Sequence, residues 1–148
     1  MYGIATPAPV ALLERRFGPL RGRAYFVAAH VDTPDIAAWL QSATLTEQQR
    51  QAGLKALARL MYKLQRLQLV HGDLKASNIH MDGTQPLLID LDSLRELRCR
   101  RRSETGHVRD LNRLLRNWQK QTDVRQHLVE ALREVYGDHA LLARALEQ

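Results

Sequence analysis

The chain has 148 residues, 45% of them hydrophobic, a net charge of +6 and one cysteine. That is the size of one domain with enough apolar content for a core, which excludes a disordered chain. Cys99 alone forms no internal disulfide or cysteine zinc cluster, no apolar run reaches membrane-spanning length, and the start of the chain lacks a signal-peptide pattern.

In chain order, residues 1–9 read as loop. Val10 to Arg15 reads as a short strand and Ala24-Tyr25-Phe26-Val27 as a second, paired as a hairpin with a long loop around the turn Gly18-Pro19-Leu20-Arg21-Gly22. A short helix is expected over Asp35 to Leu40, capped by Asp32 or Thr33, with Pro34 at its first position. Thr44 with Glu47, or Thr46 with Gln49, makes a capping box. The long helix that follows runs to about Gln68, with an apolar stripe at Leu57, Leu60, Met61, Leu64 and Leu67. About 23 residues at ~1.5 Å each span about 34 Å, the width of a small domain.

A polar loop, His71 to Asn78, comes next. Asn78-Ile79-His80-Met81 and Pro86-Leu87-Leu88-Ile89 read as a hairpin turning at Asp82-Gly83, with the return strand ending at Asp90. Arg95 to Arg102 is basic and partly helical, Ser103 to Gly106 is a break, and Val108, Leu111, Leu115 and Trp118 form a second helical stripe. A last helical region covers Val124 to Gln148, interrupted at Gly137-Asp138. Trp39 and Trp118 read as core. His30, His80, His107, His127 and His139 lack metal spacing and read as structural or surface residues. Cys99 lies among arginines, and nothing else in the sequence suggests a catalytic thiol.

The chemistry concentrates in the loop. Phosphoryl transfer needs in-line placement, cations on the phosphates and a carboxylate beside the attacking hydroxyl. Asp73 supplies the carboxylate and Lys75 a point charge for the phosphate. Asn78 and Asp90 supply oxygens for Mg²⁺, which takes one or two protein ligands and keeps its waters.

His71-Gly72-Asp73-Leu74-Lys75-Ala76-Ser77-Asn78 resembles the kinase pattern His-x-Asp-Leu-x-x-x-Asn. Asp90 matches the metal-binding Asp of the Asp-Phe-Gly motif, with Leu91 and Asp92 in place of Phe and Gly. In detail the chain is most similar to bacterial lipopolysaccharide kinases, including core heptose kinases, Kdo kinases and InaA-type relatives. The resemblance covers roughly Val10 to Trp118. It implies an α+β, protein-kinase-like fold: a single domain over 1–148, with partial N-lobe strands and hinge in 1–31 and a helical C-lobe in 32–148 that carries the catalytic-loop hairpin. It implies an ATP- and Mg²⁺-dependent transfer to a sugar hydroxyl of lipopolysaccharide core, heptose or Kdo, in the cytoplasm or at the inner face of the inner membrane.

By the same resemblance Asp73 is the catalytic base, Lys75 contacts the γ-phosphate, and Asn78 and Asp90 bind Mg²⁺. His71 ties the loop to the metal-binding segment, Asp110 braces the loop from below, and Asp92 adds a second carboxylate. Ala28 to Val31 match the hinge, so that backbone groups from Ala28 to His30 would hold adenine. Gly72 has no side chain to pair with an activation-loop phosphate, so no phosphorylation switch of that kind is expected.

Arg98, Arg100, Arg101 and Arg102 follow the metal segment and are expected to face an anionic acceptor or an anionic membrane, where each arginine adds ~1 kcal/mol. Nucleic acid is disfavoured, because no aromatics are interleaved for base stacking. The Gly-rich loop, strand Lys and helix Glu of a full N-lobe have no counterpart in the sequence. The expectation is a start upstream of Met1, a truncated remnant, or a minimal domain with exposed apolar surface. Two other functions stay open: a non-catalytic pseudokinase or remnant acting as a binding module, and a small-molecule kinase of the aminoglycoside-phosphotransferase type.

Overall fold

The computed structural model describes residues 3–147. Strands β1 (Pro9–Phe17) and β2 (Leu20–Ala28) pair antiparallel through a turn of only Gly18 and Pro19, with Gly18 at φ +59°. The hairpin is therefore longer and tighter than the two short strands and long loop expected from sequence. Arg16 and Arg23 fall outside the strands expected from sequence, yet both faces of this ladder meet solvent, so polar side chains sit within it without penalty. Val10, Leu12, Leu13, Phe17, Leu20, Tyr25 and Phe26 are 58–70% exposed. The large exposed apolar side chains of the described residues lie on this hairpin.

The N-terminal segment is tied down. Lys63 Nζ donates to Gly3 O at 2.6 Å, Leu88 N donates to Ala5 O at 3.0 Å, and Ile4 packs on the core.

Helix α1 (Ile36–Gln41) is capped by Asp35, whose Oδ1 accepts from Ala38 N at 2.8 Å. The cap is neither Asp32 nor Thr33, and Pro34 precedes it instead of opening the helix. Helix α2 (Glu47–Arg66) starts with the Thr46–Gln49 capping box: Gln49 N donates to Thr46 Oγ1 at 3.2 Å, and Thr46 N to Gln49 Oε1 at 3.0 Å. Its stripe of Leu54, Leu57, Ala58, Leu60, Met61 and Leu64 is buried, while Leu67 is its C-cap. Trp39 packs against Gly53, where a Cβ would come within 2.3 Å of the indole.

Strand β3 (Leu69–Val70) leads into the polar loop. Strands β4 (Ile79–Asp82) and β5 (Gln85–Leu88) form a hairpin that turns on Gly83 and Thr84, one residue later than expected, with Gly83 at φ +57°. Strand β6 (Arg95–Glu96) pairs antiparallel with β3. Extended backbone thus replaces helix at the start of the basic run.

Helix α3 (Arg100–Arg116) runs unbroken through residues 103–106. Gly106 is there for packing: a Cβ on it would lie 2.7 and 2.8 Å from the Val70 methyls. It lets α3 press against β3. Helices α4 (Thr122–Tyr136) and α5 (Ala140–Leu146) flank Gly137 at φ +58°, where the sequence places the interruption. Helix α4 packs along α2, and α5 along α3. Leu57, Met61, Leu111, Leu114, Leu128 and Leu132 meet in the centre, with both tryptophans in the core. The architecture is α+β: a helical body with small two-stranded ladders.

Candidate active site

The loop between β3 and β4 is held from beneath by one carboxylate. Asp110 on α3 is buried, and its Oδ2 accepts from His71 N at 2.7 Å while its Oδ1 accepts from Gly72 N at 3.0 Å. Burial pushes the Asp110 carboxyl above its ordinary value, and the two N–H groups pull it back. The His71 ring is fully buried and its Nε2 lies 3.3 Å from the Ile89 carbonyl, next to Asp90.

Inside the loop, Lys75 N donates to Asp73 O at 3.0 Å and Asn78 N to Lys75 O at 3.0 Å, closing a single 3₁₀ turn over Ala76–Asn78. Asn78 Nδ2 donates to Asp73 O at 2.9 Å and lies 3.4 Å from Asp73 Oδ2. The side-chain oxygen of Asn78 is left open, since its amide nitrogen is the group engaged. Ile89 N donates to the Asn78 carbonyl at 3.0 Å, so the β4–β5 ladder brings Asp90 to the end of the strand beside Asn78. Asp90 is exposed and sits at φ +55°, a left-handed conformation rare outside glycine. Asp92 is exposed in the following short turn, Leu91–Ser93.

Asp73 is flanked by two cations. Lys75 Nζ is 3.3 Å from Asp73 Oδ2, and Arg113 on α3 bonds Asp73 Oδ1 and also donates to Gly72 O at 3.1 Å. Lys75 first, and Arg113 after it, hold the Asp73 carboxyl below its ordinary value against the opposing effect of desolvation. Arg113 is the residue the sequence reading missed. Its only signal was its place one helical turn after Asp110, on the same face.

The remaining predicted residues divide. Ala28 ends β2 half-buried and His30 is exposed in the segment after it. That segment is anchored to the β4–β5 hairpin: the His80 ring Nδ1 lies 2.7 Å from Thr33 O, and Met81 N donates to Pro34 O at 2.9 Å. The four arginines do not act together. Arg101 and Arg102 line a groove under the loop, whereas Arg100 pairs with Glu104 at 2.8 Å and Arg98 lies outside that lining.

Among the described residues, no three His, Cys, Asp or Glu side chains converge on a metal cage. The open Asn78 oxygen and the free-standing Asp90 carboxylate nevertheless form an all-oxygen pair. This suits Mg²⁺, which takes its other ligands from phosphates and water.

A carboxylate, a lysine, an amide oxygen and a second carboxylate gathered on one braced loop have the layout of a phosphotransferase. Residues 1–136 match the model of the lipopolysaccharide kinase (Kdo/WaaP) family, and the chain belongs to that family. A kinase family implies ATP as the phosphoryl donor. No curated protein matches the chain. Among the described residues, no helix is long and apolar enough to cross a membrane.

Proposed function

We propose that the chain is a protein-kinase-like domain that transfers the γ-phosphate of ATP to a sugar hydroxyl of lipopolysaccharide core, on heptose or Kdo. In this reading residues 1–31 are N-lobe strands and hinge, and residues 32–148 the helical C-lobe. The observation that carries it is the double brace on the loop. Asp110 fixes the backbone of His71 and Gly72 while Lys75 and Arg113 fix the carboxylate of Asp73, so the acid is aimed before substrate arrives.

Asp73 orients the acceptor hydroxyl and takes its proton as the acceptor O–Pγ bond forms and the bond from Pγ to the β–γ bridging oxygen breaks, releasing ADP. Lys75 leaves Asp73 for the transferred phosphate, and the backbone from Ala28 to His30 holds the adenine. Asn78 and Asp90 would hold Mg²⁺, which neutralises phosphate charge when bound. His71 keeps the segment carrying Asp90 in register with the loop through the Ile89 carbonyl. The domain works in the cytoplasm, at the inner face of the inner membrane where its acceptor lies.

The test is transfer of labelled phosphate from ATP to core oligosaccharide. Asp73→Asn is expected to lower kcat by ~10²–10⁴-fold. Undiminished turnover would remove Asp73 from the mechanism.

One observation favours a second reading. The apolar residues exposed on β1 and β2 suit a module that docks a partner without catalysis. Titration with ATP and Mg²⁺ separates the two, since millimolar or tighter binding counts against the docking module.

A further inference from the structure

The helix face that carries Asp110 and Arg113 continues as a row of arginines. Arg102, Arg109, Arg113 and Arg116 recur at spacings that stack them on one side of α3. With Arg95 on β6 and Arg101 on the first turn of α3, they line a groove of about 830 Å³. Gly106 and Val70 form the part of its wall where α3 meets β3.

Six guanidinium groups around one groove repel one another. The one carboxylate in the lining is Asp110, and both its oxygens are occupied by His71 and Gly72. Among the described residues, Arg113 is the only one of the six in an ion pair, and its partner is Asp73. A cluster so poorly compensated focuses its field into the groove and favours an anion there. Guanidinium forks match phosphate and carboxylate in geometry as well as charge. The groove also reaches the reacting centre: Gly72 is part of its wall, and Arg113 spans from its lining to Asp73.

We propose that this groove holds a phosphate or carboxylate that the acceptor already carries, so that the chain selects an anionic sugar over a neutral one. The proposal rests on the phosphotransferase reading only in placing the acceptor hydroxyl at Asp73; binding of the anion does not depend on catalysis. Arg98 and Arg100 take no part in it.

The test is isothermal titration of the full chain with glucose 6-phosphate and with glucose, in EDTA and without nucleotide. Glucose 6-phosphate is expected to bind in the millimolar range or tighter and glucose not to bind. Arg109→Gln combined with Arg116→Gln should weaken the phosphosugar about tenfold. Should that pair not fold, Arg102→Gln alone, at the exposed start of α3, should weaken it about threefold.

Equal binding by wild type and variants, or no binding of glucose 6-phosphate by the wild type, would overturn the proposal. Phosphatidylglycerol vesicles and a single-stranded oligonucleotide are titrated in parallel. Arginine-dependent binding of either, with the phosphosugar excluded, would reassign the groove to a membrane or nucleic acid and overturn it as well. Arginine-dependent binding of the phosphosugar, with no labelled phosphate passing from ATP and Mg²⁺ to core oligosaccharide in the separate transfer assay, would count for the anion site and against the phosphotransferase reading.

Discussion

Arg113 and Asp73 form an ion pair between α3 and the loop that follows β3, and the same guanidinium holds the Gly72 carbonyl. Arg113 thus positions the acid without being part of it. Arg113→Gln is expected to lower kcat about tenfold, the equivalent of one charge-assisted hydrogen bond. Arg113 also helps to keep the Asp73 proton off. Its loss should therefore move the acid limb of the kcat/KM profile to higher pH, with Lys75 limiting the shift. An unmoved acid limb with only a lower Tm would make Arg113 a structural brace.

Gly72 sits at φ +83°, and a Cβ there would lie 3.1 Å from both Cβ and O of Ser93. Both the backbone and its neighbour oppose a side chain. Gly72→Ala should destabilise the chain by ~1–2 kcal/mol and reduce turnover by tilting Asp73. Gly72→Arg should be no better and should not create activation by a loop phosphate. Wild-type stability in Gly72→Ala, measured by urea unfolding, would contradict the strain.

Gly106→Ala should push α3 away from β3 and cost ~1–3 kcal/mol by overpacking. Because the clash is with the methyls of Val70, Val70→Ala should restore part of the loss in the double variant. A double-mutant cycle with no coupling would place the clash elsewhere.

His107 is buried with its Nε2 2.6 Å from the Tyr136 hydroxyl, and burial lowers its pKa to about 4, with His139 adding repulsion. The unfolded chain takes up this proton at about 6.5, so the contribution to stability is complete above that pH. It falls as the pH drops toward 4, by about 3 kcal/mol at that point. Tm should therefore fall more steeply between pH 6.5 and 4 for the wild type than for His107→Gln. Parallel curves would show that His107 takes its proton equally in both states.

What could be read from sequence was local. Asp73, Lys75 and Asn78 lie within one loop and Asp90 at the next strand end, so spacing alone assembles them. The Thr46–Gln49 box, the stripe of α2 and the stop at Gly137 are also short-range signals. Arg113 could not be read this way, because it meets Asp73 across 40 positions and one arginine in a basic helix looks like another. Gly106 was misread because a glycine that breaks a helix and one that lets a helix approach a strand leave the same letter. The extent of β1 and β2 was underestimated because a ladder solvated on both faces lacks the alternation that marks a half-buried strand.

The hairpin of β1 and β2 has most of its contacts between its own strands and buries little apolar surface against the helices. Such a unit opens at low free energy, independently of the body. The backbone at Ala28 continues from it, so whatever clasps that segment also tethers the ladder. Amide exchange should then slow along β1 and β2 when a nucleotide binds, while the amides in the middle of α2 keep their rates. The hairpin becomes a built-in reporter of occupancy, separate from turnover.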